Sequence, residues 1–452
     1  MTRIFARRAK LADAWAHDVL VEVKEGRIAS IESGAEAGDQ TISVDTLLPA
    51  LSNLHSHSFQ RAMAGMTEYR TAGRDSFWTW RELMYRFAQE IAPEEVEAIA
   101  ALAFMEMLEA GFAAVGEFHY LHHQKGGAQY SSIDELSQRV FAAAQRTGIG
   151  LTHLPVFYAF GGAGEKPLAD EQLRFGNNLD QYVRLVEAAA AKLPDFDARI
   201  GAAPHSLRAT SPDGLRRLLD IYSDRPVHIH IAEQPKEVED ICAWLGARPV
   251  EWLLREIGVN EHWCAVHATH MTQSETRALA QSGAVAGLCP ITEANLGDGP
   301  FNGEAFLEAG GEFGIGTDSN VRISMVEELR LLEYSQRLRD GTRNVLCAGG
   351  KSVGETIYER AAFGGAKALG RQAGAVSIGA LADLVAINTA APSLFALNDR
   401  QVLDGVCFAA GDDIVTDLWS AGRHMVRGGR HIARDAIVRA YKASMTRLME
   451  RA

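Results

Sequence analysis

Three short stretches carry side chains that could hold a metal ion: His55-Ser56-His57, His230-Ile231-Ala232-Glu233 and Thr317-Asp318-Ser319. Each closes an apolar run that reads as a buried strand, at 47–54, 226–231 and 313–316. Alternate residues of a strand share a face, so His55 and His57 point the same way. Two imidazoles on one face can grip a divalent cation, and a strand-end His and Asp would complete the set. We therefore expect His55, His57, His230 and Asp318 as ligands, a set that suits one Zn²⁺ per chain, with Fe²⁺ as second choice. His228 competes with His230, because a two-residue step keeps both on one face. His230 is preferred because it lies nearer the strand end and has Glu233 just beyond it. The plain alternative for His55 and His57 is a hydrogen-bonded core pair.

A cation in such a site lowers the pKa of bound water from about 15.7 to roughly 7. Hydrolysis also needs a proton carrier for the leaving group. Glu233, in the loop past the ligand strand, is placed for that; otherwise it is a helix N-terminal charge. His267, near the end of a later strand, could polarise the electrophile or steady the attacking water. Asp318 is counted both as a ligand and as a catalytic group.

These residues need a scaffold that gathers distant strand ends. Eight candidate strands run at 47–54, 113–117, 150–156, 199–203, 226–231, 264–268, 285–288 and 313–316, and the segments between them read largely as helix. The clearest helix is 93–110, opened by Pro93, striped at Val96, Ile99, Ala103, Phe104 and Met107, and stopped by Gly111. A capping box at Ser352 and Glu355 opens a last helix. Eight such units predict an α/β fold, a (β/α)₈ barrel of the TIM type at 48–375. Short β-type runs at 19–23, 27–31 and 41–44, and again at 384–387, 414–419 and 425–426, predict a small β domain built from 1–47 and 376–452, with a hairpin at Gly428-Gly429. Residues 433–452 read as a terminal helix. Barrel chemistry sits at the C-terminal strand ends, and here those ends also carry His119, Tyr120, Tyr158, His205, Arg208, His270, Thr292 and Asn295. Two-metal barrels usually bridge their ions with a Lys or Glu at the end of the fourth strand. That end reads Gly201-Ala202-Ala203-Pro204-His205 and has neither, which favours one ion.

The composition fits an enzyme and excludes several other classes. The chain has 452 residues, 47% hydrophobic and 23% charged, and a net charge of −13. That charge disfavours nucleic acid and anionic membrane as partners; an anionic substrate would need local arginines. No stretch is long and apolar enough to span a membrane, and Met1–Arg8 lacks the apolar core of a signal peptide. Five scattered cysteines, none in Cys-x-x-Cys spacing, fit a reducing compartment. A cytoplasmic homodimer acting on a small anionic substrate is expected.

The order of His-x-His, mid-chain His, later His and Thr-Asp-Ser resembles the amidohydrolase superfamily over essentially the whole chain, as does the flanking segment Ile378–Val385. The His230-x-x-Glu233 pattern is similar to its one-metal deaminases. The strings at 54–65, 77–81, 203–208, 228–234 and 316–319 resemble the formimidoylglutamate deiminases of bacterial histidine degradation. That resemblance implies hydrolysis of N-formimidoyl-L-glutamate to N-formyl-L-glutamate and ammonia. The two substrate carboxylates would suit Arg208 and Arg81, with Tyr120, His205 and Gln60 orienting the rest. A one-metal deaminase of a heterocycle such as guanine is the first alternative, kept open by Trp78 and Trp80. A non-catalytic assembly protein is the second, although such relatives usually lose ligands. A two-metal peptidase or lactonase is disfavoured by the missing bridge.

Overall fold

The computed structural model describes residues 1–69 and 77–451. The chain begins with four strands, β1 (Thr2–Lys10), β2 (Trp15–Lys24), β3 (Arg27–Ser33) and β4 (Ile42–Pro49). β1 pairs antiparallel with β2 and parallel with β4. The sequence reading missed β1, although its inward residues Ile4 and Ala6 alternate with less buried ones.

Nine strand segments follow: β5 (Leu51–Ser56), β6 (Phe112–His119), β7 (Gly150–Phe157), β8 (Arg199–Ile200), β9 (Ala203–Pro204), β10 (Val227–Ile231), β11 (Trp263–His267), β12 (Val285–Leu288) and β13 (Glu312–Ile315). They form two parallel sheets, β5-β6-β7-β8 with β9 also on β7, and β10-β11-β12-β13. Isolated parallel bridges join these sheets at both seams: Ser56 with Asp318, and Ala202 with Val227 and Ser206 with His230. The parallel strands thus run as a ring with helices between them, the arrangement the strand–helix alternation predicts. The expected strand at 47–54 is two strands. Leu384 pairs with Pro49 on one side of the break and Leu51 with Phe112 on the other. The backbone changes partners at Ala50, whose N–H donates to Asp383 O at 3.0 Å. The expected strand at 199–203 is likewise interrupted, because Ala202 N turns to Pro226 O at 2.8 Å.

The last strands, β14 (Leu384–Ile387), β15 (Val415–Ser420), β16 (Arg423–Arg427) and β17 (Arg430–His431), extend the first sheet in the order β17-β16-β15-β14-β4-β1-β2-β3. Gly428 (φ 57°) and Gly429 (φ 75°) make the tight hairpin between β16 and β17, both in the left-handed region that glycine adopts without penalty. A buried ion-pair network ties this sheet to the bottom of the ring: Arg371 meets Asp383 at 2.9 Å and Asp197 at 3.1 Å, and Arg423 meets Asp197 at 2.8 Å.

The helix Pro93–Glu109 is buried on more than one face. It packs between the helix Glu135–Thr147 and the terminal helix Arg434–Met449, so residues outside the amphipathic stripe are also covered. Ala452 of the expected terminal helix lies outside the described residues. The capping box at Ser352 is half formed: its side chain accepts from Glu355 N at 3.3 Å, while the Glu355 carboxylate turns to Lys10 at 3.7 Å. Among the described residues no helix is long and apolar enough to cross a membrane.

Candidate metal centre and pocket

The site is built at the seam where the ring closes. Asp318 N donates to His55 O (3.0 Å) and His57 N donates to Asp318 O (2.9 Å), so the backbone of one ligand segment grips the other. A Cβ on Gly316 would lie 2.7 Å from His55 O and 2.9 Å from His55 Cβ; glycine lets the two strands approach this closely. Below them Asn53 and Thr317 exchange two hydrogen bonds (2.7 and 3.0 Å), and Asn320 donates to Ser56 Oγ at 3.1 Å. Asp318 (φ 45°), His267 (φ 68°) and Ala232 (φ 52°) all hold left-handed backbone at or just past strand ends. Such conformations persist only when the surroundings over-determine them.

His55, His57, His230 and Asp318 are all buried, and their ligating atoms lie within 4.8 Å of one another. The three Nε2 atoms are 3.1 to 3.3 Å apart. His57 Nδ1 donates to Phe118 O (2.9 Å) and His230 Nδ1 to His205 O (3.0 Å). A carbonyl can only accept, so both Nδ1 atoms carry the proton and both Nε2 lone pairs face inward. Asp318 Oδ1 stands 3.2 Å from His57 Nε2 and 3.5 Å from His55 Nε2. Converging lone pairs and a carboxylate, with no room for protons between them, fit a divalent cation better than a hydrogen-bonded core. Burial holds the His55 imidazole neutral, its pKa pushed down to about 3. Burial opposes the charge on Asp318, yet its close contacts with His55 and His57 hold its carboxyl well below the usual range. His228 is elsewhere: its Nε2 donates to Ala368 O at 2.8 Å. His267, Cys289 and Asp318 form a second possible group, which shares Asp318 with the first.

One pocket of about 530 Å³ opens beside this cluster. Glu233, His267, Asp318, Gln60, Arg81, Tyr120, His205 and Arg208 all line it, so the structure brings together every residue the sequence singled out for catalysis or substrate binding. His55 lies behind the pocket wall. Glu233 is buried, with His267 Nε2 at 3.7 Å and Arg208 at 3.6 Å; burial raises its pKa. His267 Nδ1 meets Glu293 at 3.2 Å. Burial works against the charge on His267, but Glu233, the bond to Glu293 and Asp318 together push its pKa up to about 10. Tyr120 accepts from Gln60 Nε2 at 2.7 Å. Arg208 Nε has no hydrogen-bond partner, and Arg81 stacks on Trp78 (4.8 Å) and Tyr85 (5.3 Å).

The sequence reading missed the supporting acids. Glu237 accepts from Ala232 N (3.1 Å) and Glu233 N (3.2 Å), fixing the Glu233 turn. Glu293 comes from the helix Pro290–Leu296 and also accepts from Cys289 N at 2.9 Å. Gln234 donates to Asp298, whose pKa burial pushes up to about 9. A buried-strand pattern gives no signal for these positions; only their place beside strand ends could have flagged them.

His119, one of the strand-end residues, belongs to another cluster. Phe118 faces the metal-site histidines, so His119 takes the opposite face of β6. There its ring stands 5.4 Å from His153 and 5.6 Å from His122. Burial holds His153 at about 3, against an ordinary 6.5, and His119 and His122 well below theirs. Below pH 6.5 the unfolded chain therefore binds protons that the folded chain refuses, and stability falls as pH drops. Each imidazole should remove about 1.4 kcal/mol per pH unit. Urea midpoints measured from neutral pH downward should show this slope, and His122→Gln should flatten it. Equal slopes in parent and variant would rule the cluster out as the source.

Comparison with known proteins bears on all of this. The family model described as "Amidohydrolase family" matches residues 46–425, and that of "Formimidoylglutamate deiminase HutF, N-terminal domain" matches residues 1–41. The chain is 46% identical to a formimidoylglutamate deiminase of Pseudomonas aeruginosa, covering 100% of both chains. It is 29% identical to a 5-methylthioadenosine/S-adenosylhomocysteine deaminase of Natronomonas pharaonis, covering 94% of this chain and 90% of that one. Among solved structures, an amidohydrolase from Brucella melitensis superposes with a TM-score of 0.95 at 47% identity, covering 99% and 100% of the two chains. An adenosine deaminase from Xanthomonas campestris with bound zinc gives 0.82 at 25% identity, covering 99% and 98%.

Proposed function

This chain belongs to the amidohydrolase family, and on that premise we propose that it is a hydrolase that deiminates N-formimidoyl-L-glutamate to N-formyl-L-glutamate and ammonia. One observation carries the reading. A single pocket is lined by a buried acid, Glu233, beside a cluster of convergent ligand atoms, and by two arginines, Arg81 and Arg208. The Pseudomonas aeruginosa relative, matched over 100% of both chains, is named for this activity.

His55, His57, His230 and Asp318 would hold one divalent cation, Zn²⁺ by the chemistry of the donor set. When bound, it supplies Lewis acidity and makes a water acidic enough to attack near neutral pH. The chain's own residues do the rest. The water oxygen bonds to the carbon of the protonated formimidoyl group, the bond to the leaving nitrogen breaks and the carbonyl forms, so the oxygen sheds both protons: one must reach the leaving nitrogen, which departs as ammonia, and the other passes to solvent. Glu233 carries the first, and burial suits it by raising its proton affinity. His267, fixed by Glu293, stands beside Glu233 and Asp318 and is placed to polarise the electrophile or steady the attacking water. Gln60, Tyr120 and His205 orient the substrate, and Phe77 and Phe175 wall off water.

Ammonia release from formimidoylglutamate, set against guanine, tests the reading. Turnover of guanine alone would move the heterocycle deaminase to the front. Metal analysis of active protein should approach one ion per chain, because the second possible group shares Asp318 with the first and the end of β9 offers no bridging side chain. Two tightly held ions at full activity would contradict this.

A further inference from the structure

Behind the arginines lies a second chamber of about 610 Å³. It shares Arg81, Tyr158, His205 and Arg208 with the first pocket, so these four side chains form the partition between the two. Its outer wall adds Lys166 and Lys236, and among the described residues Asp240 is the one carboxylate that lines it. Lys236 meets Asp240 at 2.9 Å, which largely cancels that pair. Lys166 forms no ion pair among the described residues, and neither does Arg81, which only stacks on aromatic rings. Lys166 is not on a loose loop. Gly161 N donates to Lys166 O (2.8 Å) and Lys166 N to Gly162 O (3.2 Å). Gln172 ties Gly161 O to Tyr158 by donating to both.

A chain with net charge −13 repels a dianion at long range. Lys166, exposed at the rim, and Arg81 carry charge that no ion pair among the described residues cancels; they reverse that field locally, and low-dielectric walls focus it. We propose that this chamber is a vestibule that captures dicarboxylate substrates, with Lys166 as the outer cation that passes the anion to Arg81 and Arg208. The proposal rests on the formimidoylglutamate reading above.

The test uses full-length, metal-loaded enzyme and compares the parent with Lys166→Ala and Lys166→Glu. kcat/KM for formimidoylglutamate should fall as ionic strength rises from about 0.02 to 0.3 M. At the low end Lys166→Ala should lower kcat/KM by about 3–10-fold, and Lys166→Glu by more. Both variants should flatten the salt dependence and keep kcat. Formamidine, which lacks the carboxylate tail, should be indifferent to either change. If the parent turns over formimidoylglutamate and both variants keep its kcat/KM and salt slope, the vestibule is refuted and the functional reading stands. If the parent releases no ammonia from formimidoylglutamate, the functional reading falls and takes the vestibule with it.

Discussion

Glu233→Gln is expected to lower turnover of formimidoylglutamate by roughly 10²-fold or more, the usual effect of losing general acid–base catalysis, with metal content unchanged. Glutamine keeps the shape and the hydrogen-bonding reach but cannot carry a proton. Glu233 is not among the four clustered ligand residues, and its turn is fixed by Glu237 through backbone N–H groups, so the substitution should leave the site assembled. The loss should fall on kcat, because the proton moves only as the bond breaks. Near-normal turnover in a correctly loaded Glu233→Gln protein would move the role to another group, with His267 the first to examine.

Arg208→Met and Arg81→Met should each lower kcat/KM for formimidoylglutamate by at least about tenfold, since a charge-assisted bond to a carboxylate contributes about 1.5–3 kcal/mol. The geometry leaves both arginines with donors to spare. Arg208 Nε bonds nothing, and its nearest carboxylates, Glu233 and Glu237, stand at ion-pair distances of 3.6 and 3.7 Å. Arg81 is steadied by aromatic faces, a setting lysine would not reproduce. Arg208 has a second influence, because its charge lowers the Glu233 pKa that burial raises. Arg208→Met should therefore also shift the acid–base profile of Glu233 upward, whereas Arg81→Met should not. Formamidine separates the effects: it should feel the pH shift but not the lost carboxylate contacts. Intact formimidoylglutamate kinetics in both variants would overturn the dicarboxylate reading and favour a ring substrate.

The sequence by itself determined the local features. Strand alternation puts His55 and His57 on one face, apolar runs mark most of the parallel strands, and Gly428-Gly429 marks a hairpin. These depend on a residue and its near neighbours, where period and turn chemistry act. The tertiary structure decided what depends on partners far along the chain. β4 and β5 divide at Ala50 because Asp383 and Phe112 compete for adjacent backbone, which no local pattern records. His228 and His230 share a face and a spacing; the carbonyls they meet, Ala368 and His205, set their different places. His119 reads like any strand-end histidine until the packing of β6 turns it away from the pocket. Glu237, Glu293 and Lys166 look like ordinary charges in helices or loops. Burial gives the two acids their consequences, and exposed Lys166 gains its own from standing beside Arg81 and Arg208; both arise only when the ring closes and brings distant strand ends to one mouth.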